Sequence, residues 1–234
     1  MHFALKWIRR GLLLFFGSTL FFVVLYRYVP VTITPLMVIR VFQQIGRGET
    51  IRMRRHWVPL DSMSIYMPVA VMASEDQRFL QHGGIDFDAV AAAVEANKKR
   101  TKPLGASTIS QQTAKNVFLW PTSSWVRKGF EVYFTYLIEW IWGKHRIMEV
   151  YLNVIETGDG LYGAEAVARE HFGTTARQLS RPECALIAAT LPAPLRFSSK
   201  SPSAYILRRQ GRIMREMRHI DVFPTEETLD NAQK

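Results

Sequence analysis

The sequence predicts a mostly α-helical domain behind a single N-terminal membrane-spanning helix, and three observations support this. Residues 11–26, GLLLFFGSTLFFVVLY, carry no charge. With the apolar residues flanking them they cross a bilayer core of roughly 30 Å at 1.5 Å per residue. Beyond Pro68, helix-start signals recur and strand-like alternation is scarce. A chain of 234 residues has room for one well-cored domain and its anchor.

The elements follow in order. Lys6, Arg9 and Arg10 precede the apolar span, so the positive-inside rule places the N-terminus in the cytoplasm and the remainder across the membrane. No small-x-small cleavage site follows Tyr26, so residues 1–29 read as a retained signal anchor, with Arg10 and Arg27 snorkelling at its ends. Residues 30–60, with Arg47, Arg52, Arg54 and Arg55, read as a solvated connector drawn to anionic headgroups. The main domain is expected over 61–220. Pro68 suits a first helical turn, and Asp86 is placed to cap FDAVAAAVEANKKR. Thr108-x-x-Gln111 is a capping box that starts a helix after Gly105. Ser123 or Ser124 opens WVRKGFEVYFTYLIEWIW, and KHRIMEVYLNVIE follows it. Ser180-x-x-Glu183 opens a helix that stops at Leu191-Pro192, and a last helix spans about 203–218. The tail, 221–234, reads as loose.

Thirty Lys+Arg face 20 Asp+Glu. Such a balance favours nucleic acid, anionic membrane or phosphate-bearing ligands, and the predicted topology keeps the domain away from cytoplasmic nucleic acid. Cys184 is the lone cysteine, so no intramolecular disulfide forms, and its setting, CALIAATL, predicts a buried thiol. No Cys/His spacing matches a zinc site.

Four segments could carry chemistry. In Glu75-Asp76-Gln77-Arg78-Phe79-Leu80-Gln81-His82-Gly83-Gly84 an acidic pair follows an apolar helix face, where desolvation would suit a carboxylate to general-base work. Taken alone, it is as readily a solvated pair at a helix end. GASTISQQTAKN (105–116) lies in a stretch from Ala96 to Phe130 without Asp or Glu, in which Lys98, Lys99, Arg100, Lys102, Lys115, Arg127 and Lys128 all fall. That field suits a polyanion, and a helix start offers N–H groups to anionic oxygens. Lys98 to Lys102 read as an exposed helix end. Arg127 and Glu131 stand at i,i+4, by default a surface pair of about 0.3–0.5 kcal/mol, here in aromatic company. Last comes Lys144-x-x-Ile147-x-Glu149-x-Tyr151-Leu152-Asn153, then Gly158, Gly160 and Gly163-Ala164, which alone reads as ordinary helix and loop.

In this order the four segments closely resemble the peptidoglycan glycosyltransferase family (glycosyltransferase family 51). Its motifs run E-D-x-x-F-x-x-H-x-G, G-x-S-T-I-[ST]-Q-Q with K-N shortly after, R-K-x-x-E, and K-x-x-I-x-E-x-Y-L-N, and they match Glu75–Gly84, Gly105–Asn116, Arg127–Glu131 and Lys144–Asn153. The resemblance covers roughly residues 50–220. The departures are small: Ser110 where Thr is common, and Arg169-Glu170-His171 where Tyr often precedes Phe-Gly.

The resemblance implies a lysozyme-like, two-lobed domain that polymerises lipid II into β-1,4 glycan with inversion, releasing polyprenyl pyrophosphate. No second domain with a penicillin-reactive Ser-x-x-Lys pattern has room, so the monofunctional form is expected. By resemblance Glu75 is the general base and Glu131 the second catalytic carboxylate. Lys115 and Arg127 bind phosphate oxygens, with Lys128 in support. Ser107, Thr108, Gln111, Gln112 and Asn116 belong to the substrate groove, while Asp76, Phe79 and His82 shape the loop that holds Glu75. A divalent cation, Mg2+ or Mn2+, is compatible with the Glu131 side of the pyrophosphate site, and no organic cofactor is implied. The expected partners are lipid II, the nascent glycan, the bilayer of a bacterial inner membrane and proteins of wall synthesis or division, with the domain in the periplasm and part of Phe118–Trp125 dipping into the interface. The rivals are a lysozyme-like hydrolase, which needs a protonated carboxyl beside the scissile oxygen and no cationic cluster, and a membrane-tethered binding domain without catalysis.

Overall fold

The computed structural model describes residues 2–98, 100 and 105–232. Lys99 and Lys102 of the expected helix end, and the last two residues of the tail, lie outside them. Among the described residues the chain is predominantly helical. The first half holds α1 (His2–Tyr28), α2 (Pro35–Gly46), α3 (Tyr66–Glu75), α4 (Phe87–Asn97) and α5 (Ile109–Phe118). After these come α6 (Trp125–Val154), α7 (Ala164–Val167), α8 (Arg181–Thr190), α9 (Ala204–Glu216) and α10 (Glu226–Ala232). A small sheet, β1 (Arg54–Arg55), β2 (Glu156–Gly158) and β3 (Leu161–Tyr162), has the order β1-β3-β2, with β1 parallel and β2 antiparallel to β3.

Helix starts follow from side-chain caps that satisfy otherwise unpaired N–H groups. Asp86 accepts from Ala89 N, Ser124 from Arg127 N and Ser203 from Ile206 N. Both expected capping boxes form, at Thr108/Gln111 and Ser180/Glu183. Helix α5 opens at Ile109, a few residues beyond Gly105. The two consecutive helices expected over 125–154 share one long element, interrupted at Gly143, whose φ of +74° is a conformation natural to glycine.

The core lies where α3 packs on α8 and α9, and where α5 lies along α6. Met67 to Ala73 are buried around the whole circumference of α3, and Cys184 to Thr190 likewise in α8. Asn153, buried near the end of α6, exchanges two hydrogen bonds with the backbone of Val58, 2.8 and 2.9 Å long. This ties the entry segment to the core.

Leu5–Tyr28 is long and apolar enough to cross a membrane, and most of its surface faces outward. One face docks on α6. The Phe15 and Phe130 rings lie 5.6 Å apart, Thr19 Oγ1 is 2.9 Å from Tyr133 Oη, and Trp142 Nε1 donates to Val23 O at 2.7 Å. Arg146 donates to Tyr26 O and Val29 O, filling carbonyls left open by the end of the helix.

Two stretches differ from expectation. The connector is not a solvated linker. Thr34 caps α2 with Pro35 in its first turn, Leu36 and Met37 are buried, and α2 packs on α5. Arg40 makes a two-pronged ion pair with Glu156, at 2.8 and 3.0 Å, and Arg54 and Arg55 enter the sheet. Of the arginines that suggested solvent, Arg54 pairs with Glu170 and Arg55 with Tyr162 in the sheet, more than a hundred residues away, while Arg47 pairs with nearby Glu49 and the Arg52 backbone donates to Gln44. Residues 226–232 of the tail form α10 and contact α6 instead of remaining loose.

Gly160 has φ +65°, and a Cβ there would lie 2.3 Å from the Arg52 carbonyl oxygen. Gly160→Ala should therefore lower stability by more than the roughly 1–2 kcal/mol of a left-handed alanine, seen as an earlier unfolding midpoint in detergent. Burial pushes the Cys184 thiol up to about 12. Because the thiolate is the reactive form, native protein at pH 8 should resist alkylation and become labelled only on unfolding. The same shift predicts stability falling as pH climbs from about 9 toward 12, since the unfolded chain releases that proton first.

Candidate active site

Glu75 is the last residue of α3, and its side chain is largely enclosed. Its surroundings are polar, unlike the apolar edge suggested by VAVMA. Ser74 Oγ donates to Glu75 Oε1 at 2.7 Å, Gln112 Nε2 donates to Oε2 at 3.2 Å, and Arg209 Nη2 stands 3.5 Å from Oε1. The Gln112 amide is set from behind by Tyr151, whose hydroxyl donates to Gln112 Oε1 at 3.2 Å. Tyr151 is fully buried, and desolvation, with Glu75 and Asp76 nearby, raises its pKa well above the ordinary value, so it stays a donor.

Asp76 brings α5 to this place. Its Oδ2 accepts from Ile109 N, the first residue of α5, at 3.0 Å, and its carboxylate also accepts from His82 Nε2 at 3.0 and 3.1 Å. A buried carboxylate at a helix N-terminus is favoured by both the free N–H and the helix dipole. The other ring nitrogen, Nδ1 of His82, accepts from Gly84 N. Thr108 Oγ1 reaches the Gly84 carbonyl at 2.5 Å, closing the loop onto the start of α5. Phe79 is fully buried beneath Lys144, whose Nζ lies 4.4 Å from the ring centroid. Burial lowers the Lys144 pKa, and Glu139, 2.6 Å away, favours the charged form.

One turn beyond Gln112 on α5 is Lys115. Among the described residues it has no hydrogen-bond or ion-pair partner. Burial lowers its pKa; the charges of Arg127 and Lys128 lower it further, while Glu131 and Glu75 favour its charged form. Lys115 is thus within electrostatic reach of both carboxylates. On the first turns of α6, Glu131 is buried, with Arg127 Nη1 2.6 Å from Oε2 and Lys128 Nζ 2.5 Å from Oε1. The pair is not the exposed default of an i,i+4 spacing.

The expected site residues therefore divide. Glu75, Gln112 and Lys115 lie in sequence along one polar face, with Arg127, Lys128 and Glu131 beside Lys115. Glu75 and exposed Ser107 line a cleft of about 450 Å3 walled by Ala89, Ala93 and Ala96 of α4. Lys115 and Asn116 line a smaller cavity of about 160 Å3, with Arg40 and Trp120. Direct substrate contact is not what the structure gives Phe79, Thr108 or Gln111: the first is core, and the other two spend their polar atoms on the capping box and on Gly84. Asp76 and His82 likewise bond each other and the backbone. Thr108 and Asp76 reach the cleft only as parts of its wall. Sequence reading missed Ser74, Tyr151 and Arg209. The first two stand inside or beside recognised motifs; Arg209 lies on α9, 135 residues from Ser74.

The geometry gives a divalent ion little purchase. Both oxygens of Glu131 are held by cations. Asp76, His82 and Asp86 bring ligand atoms within 4.8 Å of one another, but Asp76 is committed to Ile109 and His82, and Asp86 Oδ1 to Ala89 N and Arg78. A metal at either group would compete with those bonds for the same oxygens and ring nitrogen.

The family model described as "Transglycosylase" matches residues 41–218. Among curated proteins, the biosynthetic peptidoglycan transglycosylase of Bacteroides thetaiotaomicron is 57% identical, over 95% of this chain and 90% of that protein. Proteins of the same name from Bdellovibrio bacteriovorus and Pseudomonas putida (strain GB-1) are 53% and 46% identical, covering 89% and 96% of this chain and 84% and 95% of their own lengths. A match over most of the chain, spanning the polar face from Glu75 to Glu131, establishes that this chain belongs to the transglycosylase family.

Proposed function

We propose that this peptidoglycan transglycosylase joins lipid II units into β-1,4 glycan, with Glu75 taking the proton of the acceptor sugar's hydroxyl and the Lys115 cluster holding the pyrophosphate that leaves. The observation that carries this reading is Lys115: a half-buried ammonium, without a partner among the described residues, one turn from the group that binds Glu75 and beside a second cationic centre. A pyrophosphate needs no strong acid to depart. It needs fixed positive charge where negative charge develops, in a site where water screens little. Lys115 supplies it, and anion binding would offset the cost of burying its charge. Arg127 and Lys128 would add to the field while Glu131 holds them in place. Attack from the face opposite the pyrophosphate inverts the donor carbon.

Gln112 connects the two tasks, since its amide orients Glu75 while its helix carries Lys115. No step is routed through a metal.

The bilayer enters as substrate carrier. Phe15 of α1 meets Phe130, and about 20 Å of helix at 1.5 Å per residue separates Phe15 from Tyr28. With α1 crossing a core of about 30 Å, the first turns of α6 stand below the membrane surface. Trp125, 93% exposed, and Trp140, 83% exposed, suit such a place. Contact of this face with the bilayer would keep the domain beside a lipid whose tail stays in the membrane. Lys6, Arg9 and Arg10 on the other side favour a cytoplasmic N-terminus and a periplasmic domain in a Gram-negative inner membrane.

The decisive experiment is polymerisation of labelled lipid II in detergent. Wild type should give long, lysozyme-sensitive glycan; fragmentation of finished wall without polymer would instead mark a hydrolase. Glu75→Gln should lower the rate by about 10²–10⁴ while binding substrate, and full activity in that variant would remove Glu75 from the mechanism. Lys115→Met should lose about 10²–10³ in kcat, with unfolding like wild type. A Lys115→Met enzyme of normal kcat would show that the ammonium does not serve the leaving group.

A further inference from the structure

We propose that Ser74 and Arg209 act as one positioning unit for the Glu75 carboxylate, with Arg209 working through the Ser74 hydroxyl. The proposal rests on the reading of Glu75 as the base. Neither residue belongs to the residues assigned above to substrate or proton transfer, and Arg209 arrives from α9, outside all four motif segments.

The geometry is specific. Arg209 Nη2 donates to Ser74 Oγ at 3.0 Å, and Ser74 Oγ donates to Glu75 Oε1 at 2.7 Å. The direct separation from Arg209 Nη2 to Glu75 Oε1 is 3.5 Å, too long for a good hydrogen bond. Arg209 therefore reaches the carboxylate by way of the hydroxyl. A serine hydroxyl has one proton and two lone pairs. With the guanidinium occupying a lone pair, the proton is free for an acceptor, and the structure offers two: Glu75 Oε1, and the Ala188 carbonyl of α8 at 3.2 Å.

Two consequences follow. With Gln112 on Oε2 and Ser74 on Oε1, both oxygens of Glu75 are held and the plane of the carboxylate is fixed. A base must sit within hydrogen-bond reach of the proton it removes, and a misplacement of about 1 Å can cost about 10²-fold. Second, the Ala188 carbonyl gives the hydroxyl a place to turn. When Glu75 takes the acceptor's proton and becomes a poorer acceptor, Ser74 rotates to Ala188 O and keeps a hydrogen bond. The hydroxyl neither gains nor loses a proton. Arg209 fixes the pivot of this rotation, and its own guanidinium is packed closely enough that Nε is buried without a partner.

A double-mutant cycle on kcat for lipid II polymerisation tests this in the full-length chain. Ser74→Ala and Arg209→Gln should each lower kcat by about 10- to 100-fold, with KM within about threefold and unfolding close to wild type. The double variant should be close to the slower single variant, because the Arg209 hydrogen bond is made to the hydroxyl and only the longer 3.5 Å ion pair remains once the hydroxyl is gone. Arg209→Lys, which keeps a donor, should recover part of kcat. If Arg209→Gln unfolds early, Arg209→Lys takes its place in the cycle, and its loss must likewise vanish in the Ser74→Ala background. Multiplicative losses, or losses confined to KM, would overturn the proposal. An active Glu75→Gln would overturn instead the reading on which it rests, so the two failures are separable.

Discussion

One carboxylate holds the site together. Asp76 ends α3 and starts α5: its oxygens accept the first N–H of α5 and the His82 ring, and His82 in turn receives Gly84. Everything the chemistry requires is measured from that point. Glu75 precedes Asp76 by one residue, Gln112 follows Ile109 by three, and Lys115 follows by six, so a single buried hydrogen bond sets the relative height of Glu75, Gln112 and Lys115. A buried acceptor of this kind is worth more than its bond energy suggests, because its loss strands both a charge and a helix start away from water.

The second constraint is electrostatic. Two carboxylates and four cations share a small volume, and they are not distributed as a neutral lattice. Glu131 has two cations on it, Glu75 has neutral donors with a guanidinium behind them, and Lys115 has neither. The cost of burying an ammonium without a counterion is borne by the rest of the fold, a cost that persists in natural proteins when a ligand completes the charge. A divalent ion on Glu131 would have to share that carboxylate with two fixed cations.

The parts of this arrangement that were legible in the sequence are those decided over a few residues. The cap at Asp86 and the boxes at Thr108 and Ser180 depend on partners three positions away and formed as read, and of the two serines offered for the start of α6 it is Ser124 that caps it. The break at Gly143 was visible for the same reason. Polarity, in contrast, does not reveal its partner. Thr108 and Gln111 are as polar as Gln112, yet they serve their own backbone while Gln112 faces Glu75. Long-range pairs were invisible: Arg40 meets Glu156 across 116 positions, and Arg209 meets Ser74 across 135. An arginine-rich stretch read as solvated because nothing local could show the acid waiting for it.

The docking of α1 on α6 changes what an anchor means in this molecule. A flexible tether would let the domain tumble over the membrane, restricting distance but not direction. Here the Trp142 indole, the Arg146 guanidinium and the tilted ring pair of Phe15 and Phe130 make the helix and the domain one lever. On the proposed reading of α1 as a membrane-spanning helix, its fulcrum is the bilayer. A change in membrane thickness or in the tilt of the helix would then rotate the cleft with respect to the plane in which its lipid-bound substrate diffuses, so that the physical state of the membrane becomes a setting of the enzyme's aim.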